Sequence, residues 1–142
     1  MHYRCDLTLV SEIKKLVKDL QHAVKQVDYL VLSPGILTLA GRTETTEGND
    51  RKLMLHYYAR MGVIDGLKDK LHAGSRVLSV LDSTRGNPSS LHWEDLDLKA
   101  HYSSSNAMTH AVTMTDIALQ VSRVHAERHS FRLTTSRALH VK

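Results

Sequence analysis

Few side chains in this sequence are placed to do chemistry unaided. The ten histidines are the first metal-ligand candidates. No His-Glu-x-x-His motif accompanies them, and His101 and His110 stand nine residues apart, too far for one helix face to unite. No metal site is expected. Cys5, the single cysteine, has no histidine at a spacing that would activate it as a nucleophile. Gly62-x-x-x-Gly66 lies within a helical pattern and not between a strand and a helix N-terminus, so it is no phosphate loop. Ser33-Pro34-Gly35 remains: small residues and a rigid turn directly after the apolar run Tyr29-Leu30-Val31-Leu32. In open α/β sheets the carboxyl end of a strand faces a crevice where ligands sit. Binding chemistry is expected at that turn.

The elements that must position it follow from the apolar pattern. Tyr29–Leu32 shows no alternation, the signature of a parallel strand buried on both faces. Arg76–Asp82 is a second such run. From Glu12 to Val27 the residues Ile13, Leu16, Val17, Leu20, Val24 and Val27 recur at helical spacing, with Lys14, Lys15, Lys18 and Asp19 opposite. Thr8 or Ser11 can cap this helix, and Tyr3–Cys5 predicts a short strand before it. Thr38–Asn49 is a polar loop. Asp50–Leu71 predicts a long helix, kinked at Gly62 or Gly66 and stopped by Ala73-Gly74. Gly86-Asn87-Pro88-Ser89-Ser90 marks a loop, and Ser105–Gln120 a third helix. Two strands joined through a helix form a right-handed parallel unit.

The totals fit one domain: 142 residues, 42% hydrophobic and 24% charged, enough for an ordinary core. No apolar run approaches the 18 or so residues of a membrane span. The start carries no secretion signal, and one cysteine permits no internal disulfide. A cytoplasmic protein with no membrane partner is expected. The net charge of +4 resides in residues 121–142, where Arg123, Arg128, Arg132, Arg137 and Lys142 face Glu127 alone. That segment is expected to be a basic, poorly ordered tail after a domain of residues 1–120, with a strand conceivable over Phe131–Thr135. Such a tail attracts polyanions without sequence preference, so no specific nucleic acid is implied.

The succession Cys5-Asp6-Leu7-Thr8, Val27-Asp28-Tyr29-Leu30-Val31-Leu32-Ser33-Pro34-Gly35, Arg76-Val77-Leu78-Ser79 and Tyr102-Ser103-Ser104-Ser105 resembles the short-chain dehydrogenase/reductase family. It is most similar to a divergent fungal group of NAD(P)-binding Rossmann-fold proteins, over about residues 3–120. The resemblance implies an α/β, partial Rossmann-like three-layer fold whose parallel sheet lacks its first strands. The implied activity is hydride transfer between NAD or NADP and a small-molecule carbonyl or alcohol. Asp6 and Leu7 would touch the adenine, and Ser33, Pro34 and Gly35 would support the ribose. Tyr102 would be the proton donor and Ser83 its partner on the substrate, with His56 at the position of the family's helix asparagine. Asn106 stands where the family has lysine.

The family's glycine-rich strand–turn–helix would precede Tyr3, so the resemblance reads as the middle of a reductase, truncated at both ends. Impaired activity is expected. The alternative is an inactive Rossmann remnant that acts as a partner-binding module. In the family's strand order the Tyr29–Leu32 strand would lose one neighbour and become an exposed edge, inviting self-association.

Overall fold

The computed structural model describes residues 1–82, 84–126 and 132–137, with side chains as far as Val121. The chain enters through helix α1 (Val10–Ala23) and strand β1 (Val27–Leu32). A continuous helical stretch follows, made of α2 (Arg51–Leu53), a π-helical turn (Met54–Tyr58), α3 (Ala59–Leu67) and a 3-10 turn (Lys68–Lys70). Strand β2 (Leu71–Leu81), helix α4 (Ser104–Ala126) and strand β3 (Arg132–Arg137) complete it. The three strands are parallel in the order β1-β2-β3. This is an α/β, Rossmann-like arrangement.

The helices share one face of the sheet. Ile13 of α1, Val63, Ile64 and Leu67 of α3, and Leu119 of α4 form a single core with Leu32 and Val77. The described residues thus supply two of the three layers expected. On the opposite face Tyr29 and Val31 are 77% and 60% exposed. Here the sequence misled: an apolar run without alternation implied burial on both faces, but among the described residues β1 is an edge strand with helices on one side only.

Three local expectations also change. Tyr3–Cys5 is not a strand, because β1 shares its ladder with β2 and offers no neighbouring partner there. Gly62 and Gly66 do not kink the long helix. A Cβ at Gly66 would stand 2.4 Å from Val17 Cγ1, and one at Gly62 3.3 Å from Ile13 Cγ2, so these glycines let α3 approach α1. The irregularity lies instead in the π turn. Ala73-Gly74 is no helix stop; the helix ends at Lys70, and β2 begins five residues before Arg76. The extra residues form an irregularity in the register, which passes from Val27↔Leu71 to Tyr29↔Arg76.

Residues after Gln120 continue α4 as far as Ala126, following the helical spacing of Ile117, Val121 and Val124. Residues 132–137 pair with Arg76–Leu81 of β2. The rest of the basic tail lies outside the described residues.

Candidate functional site

The turn after β1 forms one wall of an open cleft of about 470 Å³, lined by Arg4, Cys5, Asp6, Leu7, Thr8, Pro34, Gly35 and Leu55. Four residues expected to hold a nucleotide, Asp6, Leu7, Pro34 and Gly35, therefore share one cavity at the carboxyl end of β1. Ser33 is exposed beside it and is not part of the lining.

Each wall has a local cause. Asp6 Oδ1 accepts the Thr8 N–H at 2.9 Å and the Thr8 hydroxyl at 2.8 Å, folding residues 6–8 into a tight turn before α1. Those hydrogen bonds hold the Asp6 carboxyl below its ordinary pKa, so it is anionic at neutral pH. Neither Thr8 nor Ser11 caps α1. The Glu47 carboxylate does so from the polar loop, accepting the N–H groups of Val10 at 2.5 Å and Ser11 at 3.1 Å. The Val10 and Ser11 amides at this helix N-terminus are therefore already satisfied.

His56 stands behind Gly35. Its Nδ1–H donates to the Lys52 carbonyl at 2.9 Å, and a Cβ on Gly35 would lie 2.9 Å from its Nε2. Only glycine fits at 35 without displacing that ring. Burial lowers the His56 pKa, and the nearby Arg60 and Lys52 charges add to this, against the Lys52 carbonyl, which raises it. The ring is neutral at physiological pH. His56 and Leu55 both come from the π turn, a distortion often found at functional sites.

Tyr102 is elsewhere. It lines a separate pocket of about 60 Å³ with Thr38, Asp50 and Lys52, sharing no residue with the larger cleft. Burial, followed by the charge and hydrogen bonding of Asp50, raises the Tyr102 pKa. Asp50 itself is the cap of α2, its Oδ1 accepting the Lys52 and Leu53 N–H groups, each at 3.0 Å. Asn106 does not face a catalytic partner; its Nδ2 donates to the His101 carbonyl at 2.8 Å and secures the start of α4. Ser83 lies outside the described residues. Ser79, on β2 before it, is buried with its hydroxyl accepting from Arg60 Nη1 at 2.6 Å.

The histidines nine residues apart do meet, through a third. His92 stacks on His101 with ring centroids 4.5 Å apart and on His110 at 5.4 Å. Stacked rings present faces rather than converging lone pairs, and among the described residues no group of three ligands could hold a metal. His125 is four residues from His129, which is outside the described residues.

Sequence reasoning missed Arg60. It is 1% exposed and joins the ends of β1 and β2 to the turn. Nothing in its spacing marked it, since an arginine in an otherwise apolar stripe reads as a surface residue.

No family model matches the sequence. It is 37% identical over 123 residues to oxidoreductase AN1596 of Emericella nidulans, covering 84% of this chain and 36% of that protein. It is 32% identical over 119 residues to the NmrA-like family domain-containing oxidoreductase notO of an Aspergillus species, covering 81% of this chain and 36% of that protein. The chain thus spans little more than a third of the length of these relatives. Among solved structures it is similar to a 3-alpha-hydroxysteroid dehydrogenase from a Pseudomonas species, complexed with NADH. The TM-score is 0.74 at 13% identity, covering 93% of this chain and 56% of that one. It is also similar to the angucycline C-6 ketoreductase LanV with bound NADP, with a TM-score of 0.61 at 18% identity, covering 92% and 49%.

Proposed function

From a chain that has the Rossmann-like fold of the short-chain dehydrogenase/reductases and a sequence related to fungal oxidoreductases, we propose part of an NAD(P)-dependent oxidoreductase. Its substrate is a small carbonyl compound or secondary alcohol. The cleft at the end of β1 receives the adenosine portion of the dinucleotide, with Asp6 and Leu7 on the base and Pro34-Gly35 against the ribose. One observation supports this most: Asp6, Leu7, Pro34 and Gly35, distant in sequence, line a single open cavity.

Binding is weak in this reading. The Glu47 carboxylate occupies the amides that a phosphate would use at the N-terminus of α1. A dissociation constant of about 1 mM, near −4 kcal/mol, is the expected order. Fluorescence titration with NADH and NADPH tests this. Asp6→Ala and Gly35→Val should each weaken binding about tenfold, the second by pushing against His56. Equal affinity in all three proteins would contradict it.

Catalysis by the chain alone is slow. Tyr102 is held in its phenol form by burial and by Asp50, and Asn106 supplies no charge to oppose them. A second reading has its own support: Tyr29 and Val31 stand exposed on an edge strand, the form of surface that pairs with another chain. In that reading the fold serves as a partner-binding module. Sedimentation velocity separates the two, since a monodisperse monomer at high concentration speaks against a module that self-associates.

A further inference from the structure

We propose that Arg60 is the positioning residue of the cleft: it sets the turn after β1 in the geometry that receives a ligand. The affinity part of this proposal rests on the cofactor reading above; the positioning part does not. Arg60 Nη1 donates to the Leu32 carbonyl at 3.1 Å, the Ser79 hydroxyl at 2.6 Å and the Val80 carbonyl at 2.9 Å. Nη2 donates to the Pro34 carbonyl at 2.5 Å, and Nε to the Leu55 carbonyl at 3.2 Å. One side chain thereby joins the end of β1, the turn beyond it, the end of β2 and the π turn. Pro34 and Leu55 belong to the cleft lining.

The chemistry favours positioning over simple packing. Burying an unpaired cation is expensive, and apolar residues of similar volume often replace buried charges without loss of stability. Among the described residues, Arg60 forms no ion pair; oxygen dipoles surround it instead. Burial lowers its pKa to about 10, so it remains charged at neutral pH. What the guanidinium adds is a planar fork of five donors in fixed directions, which a lysine cannot reproduce. His56, four residues earlier on the same helical stretch, braces Gly35 from behind, while Arg60 holds Pro34. The turn is fixed from two sides by one helix.

The test compares Arg60→Met and Arg60→Lys with Val63→Ala, a core truncation one turn along that leaves the cleft lining untouched. Backbone 15N relaxation reports the turn through Ser33, Gly35 and Ile36, and NADPH titration reports the cleft. Arg60→Met should lower the order parameters of the turn from the rigid range of about 0.85 toward 0.6 and weaken NADPH at least fivefold. The His56 pKa should rise with loss of the neighbouring charge. Arg60→Lys should reproduce the loss of order while keeping a folded spectrum, and it decides the matter if the methionine variant does not fold. Val63→Ala should lower Tm and alter none of these readouts. A turn equally ordered in the arginine variants and in Val63→Ala would overturn the proposal. If the unaltered chain binds no NADPH, the cofactor reading fails, and relaxation and the His56 titration still decide the role of Arg60.

Discussion

At the scale of single residues, two buried histidines make the fold sensitive to acid. His110 is fully buried, and its Nε2 accepts the His92 backbone N–H at 3.0 Å, so the neutral ring carries its proton on Nδ1. Protonating Nε2 would break that bond. Burial lowers the pKa of both His110 and His56. The unfolded chain takes up these protons near pH 6.5, and the folded chain only at lower pH. The stabilisation is therefore complete above about pH 6.5 and is lost as pH falls below it. Urea melts at pH 7.5 and pH 5 check this, the second being expected to show the lower midpoint; His110→Gln should flatten the difference. Asp50 is a second sensitive point. It caps α2, accepts the Thr43 N–H at 3.1 Å and holds Tyr102. Asp50→Ala should cost about 2 kcal/mol, the upper range for a lost cap, measurable in the same melts. Pro34-Gly35 was legible as the turn after an apolar strand, and Asp6 and Leu7 entered only through the family resemblance; the structure places all four in one cleft lining. The sequence did not disclose Arg60 or the histidine stack. Both depend on contacts between separate segments of the chain, which no local period records.

At the scale of elements, helical and strand periods were legible where one face packs and the other meets water. The helical stretch from Arg51 appeared where the spacing placed it, and the one-sided helix α1 did so as far as Ala23, with Val24 its extended cap and Val27 the start of β1. Strand burial was not legible. Apolar composition says that a strand can be covered on both faces, and topology decides whether it is. The role of Gly66 was equally hidden, since a glycine inside a helix reads as a kink until the neighbouring helix is in view. Gly66→Ala should destabilise the fold by about 1–3 kcal/mol, the range for overpacking a core, because the new methyl would meet Val17. Thermal melts would show the loss; an unchanged or raised Tm would mean that α1 and α3 can separate freely. For β1, Val31→Lys puts a charge on the exposed apolar face and should reduce self-association, read by sedimentation at matched concentrations.

At the scale of the whole molecule, a sheet that the described residues cover on one face carries a core smaller than its length would suggest, and stability is expected to be modest. The fold nevertheless brings four cleft residues from two separate segments to one strand end, while Tyr102 and Asn106 are committed to other contacts. The proposed nucleotide cleft and the tyrosine expected to be catalytic therefore lie in separate pockets of this chain. A steady-state assay with NADPH and a panel of ketones and aldehydes should show turnover no better than that of Tyr102→Phe. The most direct test of the cleft is an amide chemical-shift titration of the 142-residue chain with NADPH to about 10 mM, ten times the expected dissociation constant. Saturable shifts confined to Leu7, Thr8 and Gly35 and their neighbours, lost in Asp6→Ala, are the expected result. Shifts centred on the Tyr102 pocket, or none at those amides, would contradict the account.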